Sequence, residues 1–300
     1  CTNSISAPSR AAIMTGAYSH RNGVYTLEDG LDPAVDNIAK QMQAGGYQTA
    51  LIGKWHLKRQ PAGFDHFNVF HDQGEYVNPI FKTAENWVDD DKGKQGTEVK
   101  GFSTDIVTDQ TIDWIRNRDK NKPFMMCCHF KATHEPWDFP ERMKHLYDDV
   151  VFPEPESMME FGPETSGRAF QGQQLENMGW RWETASKDPD AWWCRYPELP
   201  FSTKGMDKVA ARKKIYQKMI KDYLRCGATI DDNIGRLLKM LDEEGLEVDM
   251  KKMEADEINE VAALENVVSE TSTEIPAQVI DEEDLPEEAA VIGFDDEDVE

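Results

Sequence analysis

Ser6-Ala7-Pro8-Ser9-Arg10 brings a small hydroxyl within one helical turn of a guanidinium, and Thr15-Gly16 closes the stretch. The residue before a proline is steered out of the helical region, and proline itself suits a first helical turn. A short helix over Ser9 to Met14 is therefore expected. Its free N–H groups and positive dipole end would lie close to Ser6, where an anion is best held. Arg10 adds a permanent charge and a planar fork of donors suited to sulfate or phosphate. The same residues also describe an ordinary capped surface helix.

Two more pairs of a cation and a titratable ring follow apolar runs. Thr49-Ala50-Leu51-Ile52 precedes Gly53-Lys54-Trp55-His56-Leu57, and Phe124 to Phe130 precedes Lys131-Ala132-Thr133-His134-Glu135-Pro136. In open α/β sheets, ligand sites lie off the carboxyl ends of the strands. Residues two apart in an extended segment share a side, so Lys54 and His56 face one anion while Trp55 turns into the packing. Lys131 either reaches that anion or pairs with a carboxylate. Glu135 reads as solvated and His129, inside the run, as a satisfied core histidine. His20 and Arg21 stand in the polar turn from Tyr18 to Val24, where they either touch substrate or stay in solvent.

The elements that must position these groups alternate. Asp32-Pro33 reads as the start of a helix carrying Val35, Ile38, Ala39 and Met42, stopped by Gly45-Gly46, before the first strand. Residues 67–101 have no clear period and read as an excursion over the site. Ser103 is expected to cap a helix with Ile106, Val107, Trp114 and Ile115 on one face. The run Phe124 to Phe130 fits a parallel strand covered on both faces. Residues 151–203 are irregular and hold Trp180, Trp182, Trp192 and Trp193, faces for a sugar ring or for packing. Lys208 to Glu244 is one long helix or two, with Ile215, Met219, Ile220, Leu224, Ile230, Ile234, Leu237, Leu238 and Leu241 along its stripe. Asp231 and Asp232 point about 100° apart on that helix and read as a solvated face. Helices alternating with strands predict an α/β layered domain.

Ser6-Ala7-Pro8-Ser9-Arg10 with Thr15-Gly16 resembles the signature of the formylglycine-dependent sulfatases, in its serine-type bacterial form. Gly53-Lys54-Trp55-His56 resembles the second motif of that family, Gly63-Phe64-Asp65 the segment after it, and Thr133-His134-Glu135-Pro136 a later histidine segment. The resemblance covers Cys1 to Leu246 and implies an alkaline-phosphatase-like mixed sheet flanked by helices. It implies that Ser6 is the formylglycine precursor, steadied by Arg10, and that Lys54, His56 and His134 bind the sulfuryl group and donate protons, with Lys131 and His20 as further substrate contacts. It also brings calcium, with Ser6 as formylglycine among its ligands, and a radical-type maturation enzyme acting on Ser6. The turn after Tyr18 and the segment around His134 are most similar to glycan sulfatases such as N-acetylglucosamine-6-sulfatases. A sulfated glycan is the expected substrate, with sulfate-ester hydrolysis as the expected reaction. Phosphodiesterases and phosphonate monoesterases share the first motif, and an inactive glycan-binding fragment is an alternative of another class.

The net charge of -24 is uneven, since residues 247–300 hold 20 acidic and 2 basic residues, or -18, which leaves -6 for residues 1–246. We expect two parts, a partial catalytic domain over 1–246 and an acidic, disordered tail over 247–300 whose sole aromatic is Phe294. The chain opens at Cys1 within the first motif, and the family's paired aspartates and its Asp-Asn-Gly-like strand are not found. A truncated domain lacking the other calcium ligands is thus expected, inactive or barely stable by itself. The five cysteines have no metal-ligand spacing. Neither a signal peptide nor a membrane span is visible, and no nucleic-acid partner is expected. For the full-length parent, a periplasmic or secreted location is expected.

Overall fold

The computed structural model describes residues 4–88, 95–159, 175 and 201–246. The tail over 247–300 and the four tryptophans of the irregular stretch lie outside the described residues. The chain opens with α1 (Ser6–Thr15), α2 (Ser19–Asn22) and α3 (Ile38–Ala44). Strands β1 (Gln48–Gly53), β2 (His66–Phe70), β3 (Ile80–Lys82) and β4 (Thr97–Glu98) follow, then α4 (Ser103–Asn117), β5 (Phe124–His129) and α5 (Lys208–Glu243).

The strands form one sheet in the order β4-β3-β2-β1-β5. β1 runs parallel to both neighbours, with Leu51 opposite Phe67 and Cys127, while β3 and β4 add antiparallel pairs. Because side chains alternate along a strand, β1, β2 and β5 each feed two cores. Leu51, Phe67, Val69 and Cys127 meet Ala7, Ala11 and Met14 of α1 on one side. Ile52, Phe70 and Cys128 meet Ile106 and Val107 of α4 on the other. β1 is buried from Thr49 to Gly53, as a central parallel strand must be. β5 does feed both cores, but all six of its residues keep partial exposure, since it is the edge strand among the described residues.

Local chemistry moved several expected boundaries. α1 starts at Ser6, earlier than Ser9, with Ile5 extended before it. Pro8 is tolerated because first-turn N–H groups lack intrahelical partners. Gly16 ends the helix at φ 62°, a left-handed conformation that favours glycine. Asp32 forms only a turn, its Oδ1 accepting from Ala34 N, and the next helix waits for Asn37, whose side chain caps Lys40 N. Phe102 rather than Ser103 occupies the cap position of α4, and Ser103 is fully buried as the first helical residue.

α5 is a single helix of 36 residues capped by Asp207. Its expected apolar stripe holds at Ile215, which is fully buried with Met219 packed beside its cluster, but Ile234 and Leu238 are exposed, while Asp222, Arg225, Thr229 and Asn233 are buried. Those polar groups are paired. Asn233 donates to Asp105 of α4 at 2.8 Å, and Arg142 grips the same carboxylate through two nitrogens. Arg225 bonds Asp222, Asp148 and the Leu146 carbonyl, tying the stretch after β5 to α5. Asp232 pairs with Arg142 at 3.0 Å, in line with an ion-paired surface face.

Candidate active site

β1 and β5 end side by side, and the lysine-bearing segments part there. Gly53 closes β1 at φ 101°, and a Cβ on it would lie 1.9 Å from the His129 carbonyl oxygen. Only glycine permits that approach. Lys54 N then donates to the same carbonyl at 2.7 Å. The Lys54 carbonyl in turn accepts from Arg10 Nη1 at 3.0 Å and from His129 Nδ1 at 3.1 Å. Arg10 is thereby pinned from α1 onto the end of β1, and burial lowers its pKa.

Ser6 stands one turn before Arg10, half-buried, on the wall of a cleft of about 460 Å³ shared with Ile13, Trp55, His129 and Phe130. Trp55 is turned into the core, edge-on to Phe64, with Nε1 donating to the Arg59 carbonyl. His129, read from sequence as a core residue, instead faces this cleft beside Arg10, and burial together with the Arg10 charge lowers its pKa.

The lysines are almost sealed from water, Lys54 at 3% and Lys131 at 7% exposure. Burial, followed by the charges of Arg10 and Lys131, pulls the Lys54 ammonium down to about 7. Burial lowers Lys131 as well, with Asp72 opposing. His56 is buried, its Nε2 lies 3.4 Å from Asp72 Oδ1, and its Nδ1 is buried without a partner among the described residues. The bond to His56 is the main reason the Asp72 carboxyl sits well below the usual carboxylate range.

His134 is exposed at the edge of this cluster, with Nδ1 bonded to the Glu135 carbonyl at 2.8 Å. Partial burial of its ring and the nearby Lys54 and Lys131 charges push its pKa down. Arg10, Lys54, His56, Lys131 and His134 are thus brought together around the ends of β1 and β5, with Ser6 opening onto the adjoining cleft. His20 is not: it is exposed and stacks on Tyr18.

Sequence reasoning missed Asp72, Gln73 and Tyr76, all in the loop between β2 and β3. Lys54 Nζ donates to Gln73 Oε1 at 2.7 Å, and Tyr76 Oη donates to the His134 carbonyl at 2.6 Å. No periodicity marks these residues. The available signal was only their position off the carboxyl end of β2. Calcium does not fit what is described. It needs about 6 to 8 oxygen ligands, and among the described residues no cluster of three or more His, Cys, Asp or Glu could hold a metal. The groups that converge here are mainly cations.

A family model described as "Sulfatase" matches residues 1–250. The N-acetylglucosamine-6-O-sulfatase of Bacteroides thetaiotaomicron is 34% identical over 274 residues, covering 81% of this chain and 47% of that protein. An arylsulfatase of Clostridium perfringens is 30% identical over 179 residues, covering 49% of this chain and 37% of its own. A solved structure described as a complex with its substrate D-glucosamine-2-N,6-O-disulfate superposes with a TM-score of 0.70 at 32% identity, over 82% of this chain and 54% of the other. The chain spans about half the length of the N-acetylglucosamine-6-O-sulfatase it matches.

Proposed function

Since the chain belongs to the sulfatase family and has its alkaline-phosphatase-like fold, we propose that it supplies the catalytic groups for hydrolysis of sulfate esters on glycans, with Ser6 as the precursor of the nucleophile. One observation supports the reading: Arg10, Lys54 and Lys131, from three segments, lie close enough that the charges of Arg10 and Lys131 bear on Lys54, His134 feels both lysines, and Arg10 lines the same cleft as Ser6. Several buried cations held close together oppose one another, and a bound anion relieves that opposition.

Each group has a role that follows from its surroundings. Ser6 lies in the first turn of α1, four positions before the permanent charge of Arg10, on a helix whose N–H end favours an anion. Oxidised to formylglycine by a radical-type maturation enzyme, which takes up the two electrons and two protons, and then hydrated, Ser6 supplies an oxygen nucleophile. Lys54 and Lys131 hold the equatorial oxygens of the sulfuryl group and disperse their charge, a kind of stabilisation worth about 10²- to 10³-fold per donor. His134, exposed and with a lowered pKa, delivers a proton to the departing sugar oxygen, a contribution of about 10²- to 10⁴-fold. His56 is held beside the lysine cluster, with its Nε2 3.4 Å from Asp72 Oδ1.

The relative whose name specifies N-acetylglucosamine-6-O-sulfate chemistry supports a 6-sulfated glucosamine as substrate. Such a polymer lies outside the cytoplasm, which supports a periplasmic or secreted protein. Among the described residues no helix is long and apolar enough to cross a membrane. Purification from the native host, followed by mass measurement of the peptide containing Ser6, tests the reading. Loss of two hydrogens from Ser6, together with sulfate release from N-acetylglucosamine-6-sulfate and no hydrolysis of an aryl phosphodiester, is the expected result. An unmodified Ser6 overturns the nucleophile assignment.

A further inference from the structure

We propose that Gln73 is a positioning residue that aims the ammonium groups of Lys54 and Lys131 at a single anion, an inference that rests on the sulfate-site reading above. The two lysines arrive on segments leaving different strands, and nothing in their own backbones makes their tips converge. Gln73 touches both. Lys54 Nζ donates to its Oε1 at 2.7 Å, and Lys131 Nζ approaches its backbone oxygen at 3.4 Å. An ammonium carries three donors. Each lysine therefore uses one on Gln73 and keeps two, with the direction of the remaining pair set by the first.

The residue type matters as much as the place. Gln73 accepts without adding charge, so the positive field that draws an anion survives. A carboxylate in its place would pair with Lys54 and offset that field. The neighbouring carboxylate, Asp72, is turned to His56 Nε2 at 3.4 Å and Lys58 Nζ at 3.6 Å.

The loop that carries Gln73 is itself anchored. Tyr76 is buried, with its ring stacked on Phe102 at 5.8 Å and its backbone oxygen accepting from Ser103 N at the start of α4. Its single hydroxyl hydrogen goes to the His134 carbonyl, so Cys226 of α5, 3.4 Å away, donates its thiol to the phenol oxygen. Burial holds that thiol up at about 11, which keeps it protonated for the task. The ring face lies 5.3 Å from Lys131 Nζ. One loop thus fixes the second lysine from two sides.

Calorimetric titration with inorganic sulfate tests this in the wild type, Gln73→Leu, Lys54→Met and the double variant. Gln73→Leu should weaken sulfate binding about tenfold, the scale of a lost hydrogen bond to a charged group. In the Lys54→Met background the same change should have little further effect, because the two act as one unit. Gln73→Glu, similar in shape, should weaken sulfate more than Gln73→Leu while its melting temperature stays at the wild-type value, a pattern that a packing role would not produce. Wild-type affinity in Gln73→Leu, or additive losses in the double variant, overturns the proposal alone. Failure of the wild type to bind sulfate overturns the site reading and this inference together. Should Gln73→Leu not fold, undiminished sulfate binding by Gln73→Glu is the overturning result.

Discussion

The segments that leave β1 and β5 each carry a lysine and a histidine, yet the protein treats the two pairs differently. After β1, Lys54 and His56 are both buried and both held by side chains of the same loop, Gln73 and Asp72. After β5, Lys131 is buried but meets a backbone oxygen and an aromatic face, and His134 stands in solvent with its ring, among the described residues, bonded to its own neighbour. One side is clamped through specific acceptors; the other is held through its main chain and leaves its histidine free to exchange protons with water. A site that must grip an anion and protonate a leaving group needs both kinds of support.

The largest effect should come from the solvent-facing side. His134→Gln is expected to lower kcat about 10²- to 10⁴-fold on a sugar sulfate, whose alcohol leaves only with a proton. On an aryl sulfate, whose leaving group needs none, the loss should be far smaller. Equal losses on both substrates, measured side by side, would erase the distinction drawn between the two histidines.

An intermediate effect belongs to the clamped side and is read through pH. Anion binding needs Lys54 protonated, and its ammonium titrates at about 7 because the fold disfavours the charge. The sign follows: sulfate affinity is full below that pH and falls as pH rises through it, by at most about tenfold per unit. Lys54→Met should flatten this dependence while lowering affinity throughout. Calorimetric titrations of inorganic sulfate across neutral pH would show it, and a flat wild-type profile would place the Lys54 charge outside the anion site.

The smallest effect should come from Asp72→Asn. The carboxylate is partly exposed, so the ion pair with His56 is discounted by solvent to about 1 kcal/mol or less, or a few-fold in rate. A parallel change in kcat/KM of that size, without loss of fold by circular dichroism, would show that the Asp72 clamp on His56 adds little to what burial already does. A loss matching that of His134→Gln would invert it.

Much of this was legible in the residues. The short apolar runs gave β1 and β5 because continuous hydrophobic stretches bounded by glycine or proline have few other uses in a layered α/β domain. The Lys54, His56 and His134 positions followed from where ligands gather in such sheets. Two things were not legible. Asp72, Gln73 and Tyr76 lie in a stretch with no period, where side-chain direction is set by the partners it meets rather than by the backbone repeat. The buried face of α5 was misread because Asp222, Arg225 and Asn233 are polar in sequence and become interior only by pairing with Asp148, Asp105 and each other. Hydrophobic counting sees neither the pair nor its burial. His129 shows the same limit: the strand was right, and the cleft at its end was not visible from the strand.

Gly53 has a consequence for how such a site changes over time. The spacing between the two lysine-bearing segments is set where a main-chain oxygen of β5 fills the space a side chain would take on β1. That spacing belongs to the backbone and is inherited whole. Residues around the cleft can change without touching it, whereas any side chain at Gly53 would meet the His129 oxygen and force apart the fork from which Lys54 and Lys131 diverge.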